Sequence, residues 1–112
     1  MKTLRNSVQL IGNLGKDVEV KTFDNGNSVI NFPLATSEYY TNADGEKVQT
    51  TQWHTIVAWG KKGEQMSSNL SKGNQVLVQG KLTYRSYEDK EGIKRFVTEV
   101  IADSFVKMTK DA

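Results

Sequence analysis

The chain departs from extended character once, and that single break constrains its fold more than any other feature. Between Gly60 and Gly73, Met66 and Leu70 stand four apart among Glu64, Gln65, Ser67, Ser68 and Asn69, with Gly73 placed as a C′ terminator. This spacing predicts one short helix with a narrow apolar stripe. Elsewhere, runs with strand patterning are separated by glycine and Asx turns. Leu4 to Leu14 puts Leu4, Val8, Leu10 and Leu14 on one parity, and Gly12 and Gly15 bracket a sharp bend at its end. Val18 to Phe23 leads into Asp24-Asn25-Gly26-Asn27, where Asn-Gly suits the positive φ angles of a type I′ hairpin. Ser28 to Tyr40 turns Ile30, Phe32 and Leu34 one way, and Pro33, lacking an N–H, marks an edge or a bulge. The turn Asn42-Ala43-Asp44-Gly45 then returns the chain into a third strand ending at Gly60.

Beyond the helix, Val76, Val78, Leu82 and Tyr84 form an apolar parity, with Lys81, Thr83, Arg85 and Tyr87 on the other. Glu88 to Gly92 makes a charged hairpin tip, and Lys94 to Val106 is a last strand carrying Phe96, Val97, Val100, Ile101 and Phe105. With the runs from Leu4 to Phe23 taken as one long first strand bent by its glycines, the order is three strands, a helix and two strands. That order predicts an all-β fold with one short helix, a five-stranded OB-fold barrel, a type whose faces and loops bind oligonucleotides or oligosaccharides. A small sandwich competes, but a single helix at that place argues against it.

At 112 residues the chain can bury a core of its own, and residues 1–112 are expected to form one domain. With no cysteine there is no disulfide framework and no thiolate metal site, which fits a reducing cytoplasm. No run approaches the ~20 apolar residues of a membrane span. The opening Met-Lys-Thr-Leu-Arg-Asn lacks a signal peptide's apolar stretch, so no membrane partner is expected.

Thr51 to Gly60 holds both tryptophans and the only histidine. Strand alternation puts Trp53, Thr55, Val57 and Trp59 on one side, the indoles ~20 Å apart, and His54, Ile56 and Ala58 on the other. Ile56 and Ala58 can serve a core, which leaves the tryptophan side as a stacking platform. The charge is distributed to match. Thr50 to Tyr87 carries five basic residues and one acidic, whereas the segments on either side each carry five basic and six acidic. Excess positive charge beside exposed aromatics is what a nucleic-acid surface needs. Lys81, Arg85 and Tyr87 extend the pattern, because cations neutralise phosphates and a flat ring accepts any base. Tyr40, at the end of its strand, is expected to join the same surface.

Groups for chemistry are scarce. One histidine without cysteine excludes the usual zinc sites and a Cys-His nucleophile, and there is no Gly-rich phosphate loop. Asp24, Asp44, Glu46, Glu88, Asp89 and Glu91 fall at turns, where solvation and turn chemistry account for them. No enzyme, metal or cofactor is expected, and His54 reads as a packed structural histidine.

Val8-Gln-Leu-Ile-Gly-Asn-Leu-Gly15, Leu34-Ala-Thr-Ser-Glu38, Gln52-Trp-His54, Trp59-Gly-Lys61, Lys72-Gly73, Gly80-Lys-Leu82 and Thr98-Glu-Val100 together resemble the bacterial single-stranded DNA-binding proteins over nearly the whole chain. The resemblance implies DNA-stacking roles for Tyr40, Trp53, Trp59 and Tyr87. It implies a homotetramer with the first strand and His54 near subunit contacts. Phosphate contacts are expected from Lys61, Lys62, Lys72, Lys81, Arg85, Lys94 and Arg95. Many members carry a linker ending in an acidic tip that recruits enzymes, whereas this sequence stops at Lys110-Asp111-Ala112, so recruitment through a tail is not expected. The expected function is sequence-independent coating of single-stranded DNA in replication, recombination and repair. An OB-fold primosome or RNA-binding protein is the near alternative, and a protein- or oligosaccharide-binding module the distant one.

Overall fold

The computed structural model describes residues 5–108. Its elements in chain order are β1 (Val8–Leu14), β2 (Glu19–Thr22), β3 (Ser28–Thr41), β4 (Lys47–Trp59), α1 (Gly60–Asn69), β5 (Gln75–Glu88) and β6 (Lys94–Met108). The strands form one sheet in the order β1-β5-β6-β4-β3-β2, and a further β1–β3 pairing closes it. The ring thus contains five strands, β1, β3, β4, β6 and β5, with the helix between its third and fourth in sequence: the expected OB-fold barrel. Leu4 lies outside the described residues, as do Lys110 to Ala112.

β1 makes the closure by serving two partners. Val8 to Asn13 pair with β5, and Asn13 and Leu14 pair with β3, so the strand passes from one side of the barrel to the other at its end. A Cβ at Gly12 would overlap the Ala35 carbonyl, which is why this corner takes glycine. β2 lies outside the ring as a flap on β3, and all four of its residues are exposed. Pro33 sits at the junction between the β2 and β1 pairings. Its carbonyl accepts the Gly15 N–H at 3.0 Å, so its nitrogen, on the same side of the strand, faces that corner and interrupts no β3–β4 bond.

The core is the barrel interior. Ile30, Phe32, Leu34, Ile56, Ala58, Val76 and Val78 are buried there as alternation requires, and α1 covers one end with Met66, joined by Leu70 just past its end. On β6 the inward parity changes: Val100 and Ala102 are buried, yet Phe105 also packs on the core. A register shift at Gln79/Gly80 inserts one extra residue on β6 and turns the strand over.

Three expectations are corrected. Gly73 does not terminate the helix. α1 ends at Asn69 with an extended Leu70 as its C-cap, and Gly73 instead belongs to the Ser71–Asn74 turn, donating to the Leu14 carbonyl at 2.9 Å. The Asp24–Asn27 hairpin is not type I′, which needs two positive φ angles, because only Gly26 has one. It is a three-residue loop, with Gly26 N–H bonded to the Phe23 carbonyl and Phe23 N–H to that of Asn27. The same bonding recurs at Asn42–Glu46 and Asp89–Ile93, with Gly45 and Gly92 in the positive-φ position. Tyr84, placed by its parity with the inward-facing Val76 and Val78, is 70% exposed. The buried positions of β5 end at Gly80, with Leu82 partly buried against the core, and beyond them the β5–β6 hairpin projects as an arm with no layer beneath it.

Candidate nucleic-acid interface

Odd-numbered positions of β3, β4 and β5, and of β6 before its shift, face outward. On β4 this places Trp53, Thr55, Val57 and Trp59 in a line, and the indoles are 62% and 52% exposed although each has one face backed. Trp53 lies against Gly15: a Cβ there would fall 2.5 Å from the indole Cζ3 and 2.8 Å from Cη2. Trp59 stacks on Phe23, ring centroids 6.1 Å apart and planes 15° from parallel, and the Lys21 ammonium lies 5.5 Å from the Phe23 ring centre. Phe23, the residue that follows β2, therefore supports Trp59, although β2 adds nothing to the core. Beside Trp59 runs a groove of about 660 Å³ whose lining includes Lys21, Phe23, Val57, Trp59, Arg85 and Glu99, with Trp53 outside it. Backing fixes the indoles while leaving a flat face open, so ordering them costs little when a base stacks.

Arg85 and Tyr87 share this outer face. The Arg85 guanidinium reaches Glu99 across β6 with two bonds, Nε to Oε1 at 2.9 Å and an Nη to Oε2 at 3.2 Å, and lies 5.9 Å from the Tyr87 ring centre. The Glu99 hydrogen bonds and charge raise the Arg85 pKa above its ordinary value, so the guanidinium stays charged. Glu99 itself is buried. An acid on the floor of a basic groove is unexpected from the residue pattern, and it means that Arg85 meets a phosphate already paired.

The remaining cations are dispersed. Lys81 is exposed on the outer face in register with Ile101. Lys61 and Lys62 occupy the first turn of α1 directly after Trp59, where there is no acidic residue and no side-chain cap. Two lysines at the positive end of a helix are unfavourable alone and become favourable beside an anion. Lys72 lies away from the groove, in the α1–β5 loop, its backbone N–H held by Asp17 at 2.8 Å. Lys94 packs over the Phe96 ring at 5.6 Å and shares with Tyr87 a second shallow pocket of about 440 Å³ at the arm's tip. Arg95 is bonded to Asp89 at 2.9 Å. The hydrogen bond from Ile93 N–H, with that from Arg95, lowers the Asp89 pKa.

Tyr40 is not brought to the tryptophan face. The β3–β4 register runs without a break from Val29↔Trp59 to Thr41↔Lys47, so Tyr40 shares its side with Thr36 and His54. The half-buried His54 bonds through Nε2 to the Thr36 hydroxyl at 2.9 Å, as a packed histidine does. Phe23, Gly15 and Glu99 were not assigned to the site from residue patterns. Phe23 has the same parity as Lys21, but only the strand pairing shows that this parity faces Trp59. No group of three or more His, Cys, Asp or Glu side chains that could hold a metal ion occurs among the described residues. No helix among them is long and apolar enough to cross a membrane.

Fold and face together define a class: an OB-fold with an outer groove offering flat rings and cations. Residues 5–108 match the model of the single-strand binding protein family. The chain belongs to that family. It is 46% identical over 97 residues to "Single-stranded DNA-binding protein 1" of Chlorobaculum tepidum, covering 86% of this chain and 60% of that protein. It is 43% identical over 101 residues to the single-stranded DNA-binding protein of Bacteroides thetaiotaomicron, covering 88% and 63%. The chain thus spans about three fifths of the length of these relatives. Among solved structures it is similar to the Plasmodium falciparum SSB in complex with ssDNA, with a TM-score of 0.85, 29% identity, and coverage of 97% and 98%. A deletion mutant of the single-stranded DNA binding protein from Thermus aquaticus superposes with a TM-score of 0.80 at 26% identity, covering 93% of this chain and 50% of that one.

Proposed function

We propose that this protein binds single-stranded DNA without sequence preference, protecting exposed strands during replication, recombination and repair, and performs no reaction on them. One observation carries the reading: two exposed indoles stand on the outer face of the barrel, each backed on one side and open on the other. Stacking serves any base, and the lysines around the groove serve the backbone that every sequence shares. Duplex bases are already stacked on each other and cannot use the indoles.

Self-association into a tetramer fits the same structure. β1 pairs with β5 along Val8–Asn13, but among the described residues its opposite edge from Val8 to Gly12 has no strand partner. An open edge of backbone donors and acceptors is a template for a second copy. His54 is assigned to the neighbourhood of this contact, consistent with its lying on the side away from the tryptophans.

Titration of the chain's tryptophan fluorescence with oligo-dT at two salt concentrations tests the function. Quenching is expected, with log K falling against log salt by about 0.7 for each phosphate neutralised. Trp53→Ala and Trp59→Ala should each cost about 1 to 3 kcal/mol of binding with the fold intact. Salt-insensitive binding, or equal affinity for duplex DNA, would count against the reading, and preference for oligo-rU would move the substrate to RNA.

A further inference from the structure

The β5–β6 arm carries Arg85 and Tyr87 beyond the last core layer, and its hold on the barrel decides where they stand. Along one edge β6 pairs with β4 as far as Glu99, which lies opposite Thr83. Along the other edge β5 pairs with β1, but that backbone ladder stops at Val8↔Gly80, where the Gln79/Gly80 register shift also falls. Its register would next set Asn6 opposite Leu82, yet the chain bends at Arg5 and Asn6 and leaves the ladder. The Asn6 side chain takes the place of the missing backbone pair: its Nδ2 donates to the Leu82 carbonyl at 2.9 Å, and its Oδ1 accepts the Leu82 N–H at 2.9 Å. We propose that Asn6 is a positioning residue for DNA binding, which fixes the root of the β5–β6 arm and thereby sets the place of Tyr87 on the binding face. This rests on the single-stranded DNA reading above.

Geometry supports it first. With Asn6 the arm is held on both edges to nearly one level, at Leu82 on β5 and at Glu99 on β6. Without it the β5 edge would be released back to Gly80, and the ribbon would turn about an irregular pairing with only its β6 edge tethered at that level. Tyr87 lies five residues beyond Leu82, ~17 Å at about 3.3 Å per residue, so a swing of ~10° at the root moves the ring by ~3 Å. A shift of that size separates the ring from a base held elsewhere on the face, because dispersion contacts are lost within a fraction of it. Chemistry supports it independently. A carboxamide presents a donor and an acceptor together, as a peptide group does, and the Leu82 carbonyl and N–H need one of each. A carboxylate would offer acceptors alone and set one of them against the Leu82 carbonyl.

The test places Asn6→Ala in the parent chain, in Tyr87→Ala and in Trp53→Ala, and measures oligo-dT affinity in each. Asn6 is exposed and outside the core, so thermal unfolding and the assembly mass by light scattering should match the parent's. Asn6→Ala should weaken binding about 5-fold in the parent and in Trp53→Ala, part of what loss of one stacked base costs. In Tyr87→Ala the same change should cost less than about 2-fold, because a ring already absent cannot be misplaced. Amide nitrogen relaxation, measured without DNA, should show added motion at residues 84–96 in Asn6→Ala and in Asn6→Asp, and none at residues 37–49 of the β3–β4 hairpin. Equal losses of affinity with and without Tyr87 would overturn the proposal, as would unchanged arm relaxation in both variants. A lighter assembly would also overturn it, by placing Asn6 in a subunit contact instead. If Tyr87→Ala and Trp53→Ala each leave binding unchanged, the single-stranded DNA reading fails; if both weaken it and Asn6→Ala does not, only the role of Asn6 is lost.

Discussion

Removing the negative charge from Glu99 should tighten DNA binding, although Glu99 holds a residue of the binding face in place. Arg85 spends two N–H groups on the carboxylate, at 2.9 and 3.2 Å, so the pair presents little net charge to an incoming phosphate. Glu99→Gln keeps an acceptor for one of those bonds and cancels the opposing charge. A phosphate on the outer side of the guanidinium would lie ~7 Å from the carboxylate. Coulomb's law then gives a repulsion of ~0.6 kcal/mol in bulk water and ~2.4 kcal/mol at an effective dielectric constant of 20. The expected gain in affinity is accordingly about 3- to 50-fold at low salt. The salt slope should steepen by up to about 0.7, the contribution of one newly effective cation.

Stability should respond in the opposite order. The Arg85 side chain is 59% exposed and its guanidinium can return to water, whereas the Glu99 side chain is 9% exposed and cannot do so as easily. Arg85→Ala therefore leaves a buried carboxylate without its partner and should cost about 1 to 3 kcal/mol, while Glu99→Gln should cost less than about 1. Urea unfolding gives the stabilities, and fluorescence anisotropy of a labelled oligo-dT at two salt concentrations gives the affinities. Weaker binding by Glu99→Gln with an unchanged salt slope would refute the reasoning, because it would make the carboxylate's positioning of Arg85 more important than its charge.

Other substitutions separate platform from core. Gly15→Ala should push the Trp53 indole off its seat, since the new Cβ would lie 2.8 Å from Cη2; a shifted tryptophan emission and weaker oligo-dT binding with little change in stability are expected. Ile56→Ala, at a fully buried core position, should cost about 2 to 5 kcal/mol in urea unfolding and alter DNA binding only through the folded fraction. At the β5–β6 tip, hydrogen bonds lower the Asp89 pKa below its ordinary 3.8, so the carboxylate's support of the turn is present above that value. That support is lost as pH falls through the lowered pKa. An NMR titration should show Asp89 protonating below its ordinary value, with the Glu91 and Ile93 amides shifting at the same pH.

The barrel was legible because its core obeys a period of two wherever both neighbours of a strand are present. Ile30, Phe32 and Leu34, and Ile56 with Ala58, lie where alternation puts them, and the one 3.6-period window marks the helix. Prediction fails where the two-sided environment ends. Tyr84 keeps the core parity of Val76 and Val78 but lies beyond the last core layer, and nothing in its own residue type records where that layer stops. The β6 register shift is likewise invisible in β6 alone, since Val100 and Phe105 belong to one core only after an extra residue has been accommodated opposite Gln79 and Gly80. The turns show a third limit: Asn25-Gly26 fits a two-residue loop, but the recurring three-residue loop needs only the glycine at positive φ.

The site was legible in the same graded way. Trp53 and Trp59 lie on one strand, and parity within a strand is a local property, so their shared face follows from spacing alone. Relating Phe23 to Trp59, or Glu99 to Arg85, requires knowing which strands become neighbours and in what register. β4 pairs in parallel with β6 and antiparallel with β3, and those two registers bring the β2 flap and the β5–β6 arm to opposite sides of one groove. Tyr39 and Tyr40 set the sharpest version of the problem, because adjacent residues of one type differ only in the face they take. An unbroken ladder from Trp59 to Lys47 decides between them, and a single bulge in β3 between Ala35 and Tyr39 would exchange their faces.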